Sequence, residues 1–294
     1  MRIGGIDIEF SAPSSTRLRI ANPLYRPFLN LSAGAARSPR MSVRVLCDAW
    51  PLMQDLEKVF DTRDSWSLCR DEKSYWLNLA PLGCESPLWI ARLDRGARRV
   101  DLYCQAGPEE KNGKRVISLP LVYPLDQLLL MYFLARRRGI LAHAAGMVRG
   151  GKVFIFPGAS GAGKSTFSQL LAAAKTGKML SDERMIVREI EGKMIAFGTP
   201  WAGTAGIARN GSAPLAGIFF LKHGKSNRIE KLDAIAAADR LLPMISVPWY
   251  DPDTAAPIIA FAKRLVVQVP AYEMSFTPDP SAIDFFWKFI KKSS

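Results

Sequence analysis

Gly158-Ala159-Ser160-Gly161-Ala162-Gly163-Lys164-Ser165-Thr166 is the most telling segment of the chain. Its spacing, G-x-x-x-x-G-K-[ST], is that of a phosphate-binding loop, and each residue type in it has a physical task. Glycines without Cβ let the backbone wrap closely around a polyphosphate. The backbone along Gly158, Ser160, Gly161, Ala162, Gly163, Lys164, Ser165 and Thr166 then turns its N–H groups inward as an anion nest, at the positive end of a helix dipole. Lys164 reaches the β- and γ-phosphates, and the Ser165 hydroxyl ligates Mg²⁺. ATP with Mg²⁺ is therefore the expected ligand.

The flanks agree with this. Lys152-Val153-Phe154-Ile155-Phe156 is a short apolar run of the kind that forms a buried strand. Thr166 to Ala174 is a helix former with an apolar stripe. Strand, glycine loop and helix in that order are the context the motif requires.

The chain has 294 residues, 48% apolar and 23% charged, which is the globular class, and its length allows two domains with separate cores. No run of about 18 apolar residues occurs, so no membrane partner is expected. Met1 to Asp7 lacks the apolar centre of a signal peptide, and a cytoplasmic location follows as an expectation. The net charge of +13 is read either as solvated surface, the commonest case, or as attraction for acidic substrates and partners, nucleotides included. No basic-aromatic RNA-binding signature or zinc-finger spacing accompanies it, which argues against nucleic acid. Cys47, Cys69, Cys84 and Cys104 are widely spaced, and His143 and His223 lie far from them. Structural thiols in a reducing compartment are expected rather than a zinc site.

Two parts are expected: residues 1–123, a smaller β-rich domain, and residues 124–294, an α/β domain built around the loop. Ile3 to Phe10, Ser42 to Cys47, Leu88 to Leu93 and Arg99 to Cys104 read as strands of the first. A helix over Leu125 to Arg138 connects the parts. It is apolar nearly all round and hence buried, with Arg136-Arg137-Arg138 at its C-terminus and Gly139 as cap. In the second part Lys178 to Ser181 reads as a strand, and Met185 to Glu189 and Lys193 to Phe197 as a hairpin. Leu215 to Leu221 is a further strand. Asp233 caps a helix to Leu242, another covers Thr254 to Arg264, Leu265 to Val269 is a strand, and Ser281 to Ile290 is a final helix.

Three features lie in sequence around the loop. Asp182-Glu183 falls at a strand end and is either a solvated acidic turn paired with Arg184 or, as its place after a phosphate loop favours, a carboxylate pair that holds Mg²⁺ and accepts a proton from a substrate hydroxyl. His143 sits among small apolar residues before the strand that feeds the loop. It is either a satisfied core residue or a group that positions phosphate or tunes the carboxylates. Gly198 to Gly206, rich in Gly and Thr with one Trp, is either a mobile loop that contacts an acceptor or a plain surface connection.

Together these pieces carry a resemblance. From about Leu141 to Phe276 the chain resembles the C-terminal kinase domain of the HPr serine kinase/phosphorylase family. The matches are His143-Ala144, the loop from Ser160 to Thr166, and Ser181-Asp182-Glu183-Arg184. In its stand-alone relatives, some of them from peptide-modification gene clusters, Gly198-Thr199-Pro200-Trp201 and Phe219-Phe220-Leu221 have similar counterparts. The resemblance implies an α/β phosphate-loop kinase fold of the HPr kinase and phosphoenolpyruvate carboxykinase type. It implies transfer of phosphate to a serine hydroxyl of a peptide or protein. Lys164 and Ser165 would then hold phosphate and Mg²⁺, Asp182 the metal, and Glu183 would stand at the catalytic-base position, where the family usually has aspartate. The first part does not resemble the regulatory domain of bacterial HPr kinases. A small-molecule kinase and a nucleotide-binding regulatory protein without transfer activity are the alternatives. A homo-oligomer is left open.

Overall fold

Alternating polarity in the first part folds into strands, and 3.6-residue periodicity in the second folds into helices, in a computed structural model that describes residues 1–29, 38–105, 113, 115–119, 123–158 and 161–292. In chain order the strands of the first part are β1 (Arg2–Ile3), β2 (Ile6–Ser11), β3 (Thr16–Arg19), β4 (Arg40–Cys47), β5 (Glu57–Asp61), β6 (Trp66–Arg70), β7 (Ser74–Leu79), β8 (Trp89–Asp94), β9 (Arg99–Cys104) and β10 (Arg115–Ser118). After α1 (Leu125–Ala135) come β11 (Gly139–Arg149), β12 (Lys152–Pro157), α2 (Lys164–Ala174), β13 (Lys178–Ser181), β14 (Arg184–Ile190), β15 (Lys193–Gly198), β16 (Ser212–His223) and β17 (Arg228–Lys231). The chain closes with α3 (Ala234–Leu241), α4 (Pro252–Gln268), β18 (Ala271–Phe276) and α5 (Ser281–Lys292). This is a mixed α/β protein with large sheets. Among the described residues no helix is long and apolar enough to cross a membrane.

The chain divides into two compact units, Met1–Arg136 with Pro248–Pro252, and Arg137–Val247 with Asp253–Ser294. Unit one is built on a sheet in the order β1-β2-β4-β9-β8-β7-β6-β5. One face of it is core: Met41, Val43 and Val45 of β4 and Val100 and Leu102 of β9 are buried, while Arg40, Ser42 and Arg44 alternate with them on the exposed face. Sequence reasoning missed β5, β6 and β7. Helix α1, expected with the second part, packs with the first. Its Asp126 accepts a hydrogen bond from buried Tyr25, and Tyr132 packs on Tyr75 with ring centroids 4.8 Å apart. The expected Gly139 cap is instead the first residue of β11, and Arg138, at φ 49°, makes the left-handed turn before it.

In unit two, β11 and β16 are each shared between sheets. β11 pairs with β14 through residues 139–143 and with β12 through residues 144–149. β16 begins against β15 and then runs parallel to β12 and β18. Helices α2 and α5 cover one side. Phe154, Phe156, Phe167, Phe219, Phe276 and Phe286 meet there in a single apolar cluster. Each buried phenylalanine contributes about 1.5–3 kcal/mol.

The strand expected at Leu265 to Val269 is the last turn of α4. Its branched residues suggested strand, but Leu265 and Val266 continue the buried stripe of Ile258, Phe261 and Ala262 at helical spacing, and Val267 points outward. The strand lies one step later, as β18.

Candidate functional site

The glycine loop leaves the end of β12 and enters α2 at Lys164. Ala159 and Ser160 lie outside the described residues. Gly161 (φ 83°) and Gly163 (φ 92°) both adopt the left-handed conformation that only glycine takes cheaply. Gly163 is the N-cap of α2. No side chain caps the helix, and its first turn holds no acidic residue. The first turn of the helix thus leaves its positive end open to an anion. Gly158 is packed closely, since a Cβ there would come within 3.0 Å of Ala162 and 3.3 Å of the Lys164 stem. His223, at the end of β16, stands over Gly163, where a Cβ would fall 3.0 Å from its ring.

Lys164 is buried, and its Nζ donates to the Gly158 carbonyl at 2.5 Å. Burial holds its ammonium below the ordinary lysine range, Glu183 opposes that shift and Arg184 adds to it. The backbone pairing of β11 with β14 sets His143 opposite Arg184. His143 Nε2 lies 3.1 Å from Glu183 Oε1. Since an ionised carboxylate only accepts, the neutral imidazole that pairs with it carries its proton on Nε2. Burial first, then the Lys164 ammonium, pushes the imidazole below its ordinary range, and Glu183 pulls the other way. Lys164, His143 and Glu183 therefore share one electrostatic field. His143 is half-buried at a carboxylate, so it is not a closed core residue.

Asp182 is arranged differently from its neighbour. Its buried carboxylate accepts N–H groups of Gly203 at 2.9 Å, Ala205 at 2.7 Å and Ile207 at 3.2 Å. Ser181 supports the pair: its Oγ accepts the N–H of Glu183 at 3.2 Å and of Arg184 at 3.1 Å. The Gly- and Thr-rich segment is therefore tied down at its centre, with Thr199 and Trp201 buried. Gly203 lies against both carboxylates, since a Cβ on it would meet Asp182 Oδ2 at 3.0 Å and Glu183 Oε2 at 3.1 Å. Thr204, in the same segment, reaches the exposed Ser165 hydroxyl at 3.5 Å. This cradle was not predicted. The Ser before Asp-Glu was its one available signal, as a hydroxyl that captures backbone N–H groups in a turn.

A carboxylate offers about four acceptor positions, of which Asp182 uses three. One remains for a metal bond. One carboxylate plus the Ser165 hydroxyl fits the habit of Mg²⁺, which takes few protein ligands and keeps water and phosphate oxygens for the rest. Among the described residues no three His, Cys, Asp or Glu side chains cluster as an all-protein metal cage. The four cysteines are free thiols.

No family model and no curated protein matches the chain. Among solved structures, the Hpr(Ser) kinase/phosphatase from Coxiella burnetii is similar at 10% sequence identity and a TM-score of 0.29, over 52% of this chain and 93% of that one.

Proposed function

We propose that this chain is an ATP-dependent, Mg²⁺-requiring kinase that transfers the γ-phosphate to a serine hydroxyl of a peptide or protein. The observation that carries the reading is the meeting of Lys164, His143 and Glu183 beside an uncapped helix N-terminus. Glycine-loop N–H groups and Lys164 hold the phosphates. Ser165 and Asp182 hold the metal, which neutralises phosphate charge when bound. Glu183 accepts the proton of the attacking serine as the new O–P bond forms and the bridging P–O bond of ATP breaks. His143, donating to Glu183, fixes the direction of that carboxylate.

The test follows ADP formation and peptide phosphorylation, with serine peptides and their alanine counterparts. Lys164→Ala is expected to cost about 1.5–3 kcal/mol of nucleotide binding or transition-state stabilisation. Glu183→Gln is expected to slow transfer by about 10²–10⁴-fold with nucleotide affinity nearly intact. Unchanged turnover in both variants, or phosphorylation only of small hydroxyl compounds, overturns the reading.

A further inference from the structure

The exposed face of the sheet in unit one carries a polar cleft of about 580 Å³ that the kinase reading does not use. Strand register builds it. Arg44 of β4 lies opposite Asp101 of β9, Asp101 opposite Arg92 of β8, and Arg92 opposite Trp76 of β7. One step along, Ser42 pairs with Arg99 and Ser74 with Asp94. Partners in register point to the same face, so these side chains line one surface. Lys73, exposed in the turn before β7, completes the lining.

The charges do not cancel. Arg44 pairs with Asp101 at 2.8 Å and Arg99 with Asp94 at 3.5 Å. Arg92 donates to Ser74 Oγ at 3.1 Å and its guanidinium lies 5.1 Å from the centre of the Trp76 ring. Among the described residues neither Arg92 nor Lys73 forms an ion pair, although Asp71, whose Oδ1 accepts the Lys73 N–H at 2.7 Å, lies in the field of Arg92. Arg44 and Arg92 are separated by one intervening strand, about 10 Å across the sheet. A single phosphate cannot span that gap. An extended polypeptide can, because it presents side chains on one face every ~6.6 Å.

We infer that this cleft binds an acidic segment of a polypeptide in extended form, with Arg92 and Lys73 as its principal contacts and Arg44 two strands away at its far side. Charge complementarity selects the occupant, and the +13 net charge of the whole chain favours its approach. The inference rests on the cleft alone and stands whether or not the kinase reading does.

Fluorescence anisotropy tests it on the full chain without nucleotide. The probe is a labelled peptide with glutamate at alternate positions, and the control is the same peptide with glutamine there. The glutamate peptide is expected to bind, and to weaken as salt is raised. The glutamine peptide should bind roughly tenfold or more weakly. Arg92→Gln combined with Lys73→Gln should weaken the glutamate peptide by roughly tenfold, and Lys73→Glu alone, in an exposed turn where folding is not at stake, should weaken it as well. Equal affinity for both peptides, full affinity in the Lys73→Glu variant, or displacement by inorganic phosphate as effective as by unlabelled peptide overturns it.

Discussion

Asp182 and Glu183 are neighbours with different work. Asp182 collects three backbone N–H groups and is buried, whereas Glu183 faces His143 and is partly open. Asp182→Asn replaces an acceptor oxygen by a donor and leaves at least one of those N–H groups without its partner. It is expected to destabilise the fold by about 2 kcal/mol in urea unfolding, while Glu183→Gln leaves the unfolding midpoint nearly unchanged. Equal midpoints for the two variants would remove the distinction. In sequence, a carboxylate pair after a phosphate loop invites a catalytic reading. The backbone cradle of Asp182 was not legible there. The partners of Asp182 are main-chain groups at 203, 205 and 207, and main-chain groups are the same in every sequence.

At the scale of elements, strand β12, the glycine loop and α2 were legible because their signals are local. Glycine conformation and helical periodicity act within a few residues. Gly163 adds a packing demand that no local pattern carries. A Cβ there would meet buried Phe276 at 2.7 Å, whereas at Gly161 it would meet nothing within 4 Å. Gly161→Ala should therefore cost only the backbone strain, about 1 kcal/mol. Gly163→Ala should cost about 2–4 kcal/mol, because strain and overpacking add. Chemical denaturation of the two variants compares them directly, and equal losses would refute the packing argument. The end of α4 was misread for the opposite reason. Branched residues favour strands by local preference, and burial of Leu265 and Val266 on the helical stripe overrode it.

Across the whole molecule, α1 decides where the chain can be cut. Nearly all of its residues are buried, and Tyr25 and Tyr75 of the first unit supply its partners. A fragment of residues 124–294 carries this helix without them; one of residues 137–294 does not. The longer fragment is expected to bind more of a hydrophobic dye and to scatter more light on standing. If both behave alike, α1 does not depend on the first unit. An all-round apolar helix declares that it is buried, not against what, so the sequence alone does not assign α1 to either unit. The shared strand β11 has a different bearing on the site. His143 is the last residue to pair with β14, and Ala144 the first to pair with β12. A one-residue slip against β14 would turn the imidazole inward and Ala144 outward, yet it would also undo the ladder with β12. The aim of the histidine is thus encoded twice, so an error in either neighbouring strand is corrected by the other.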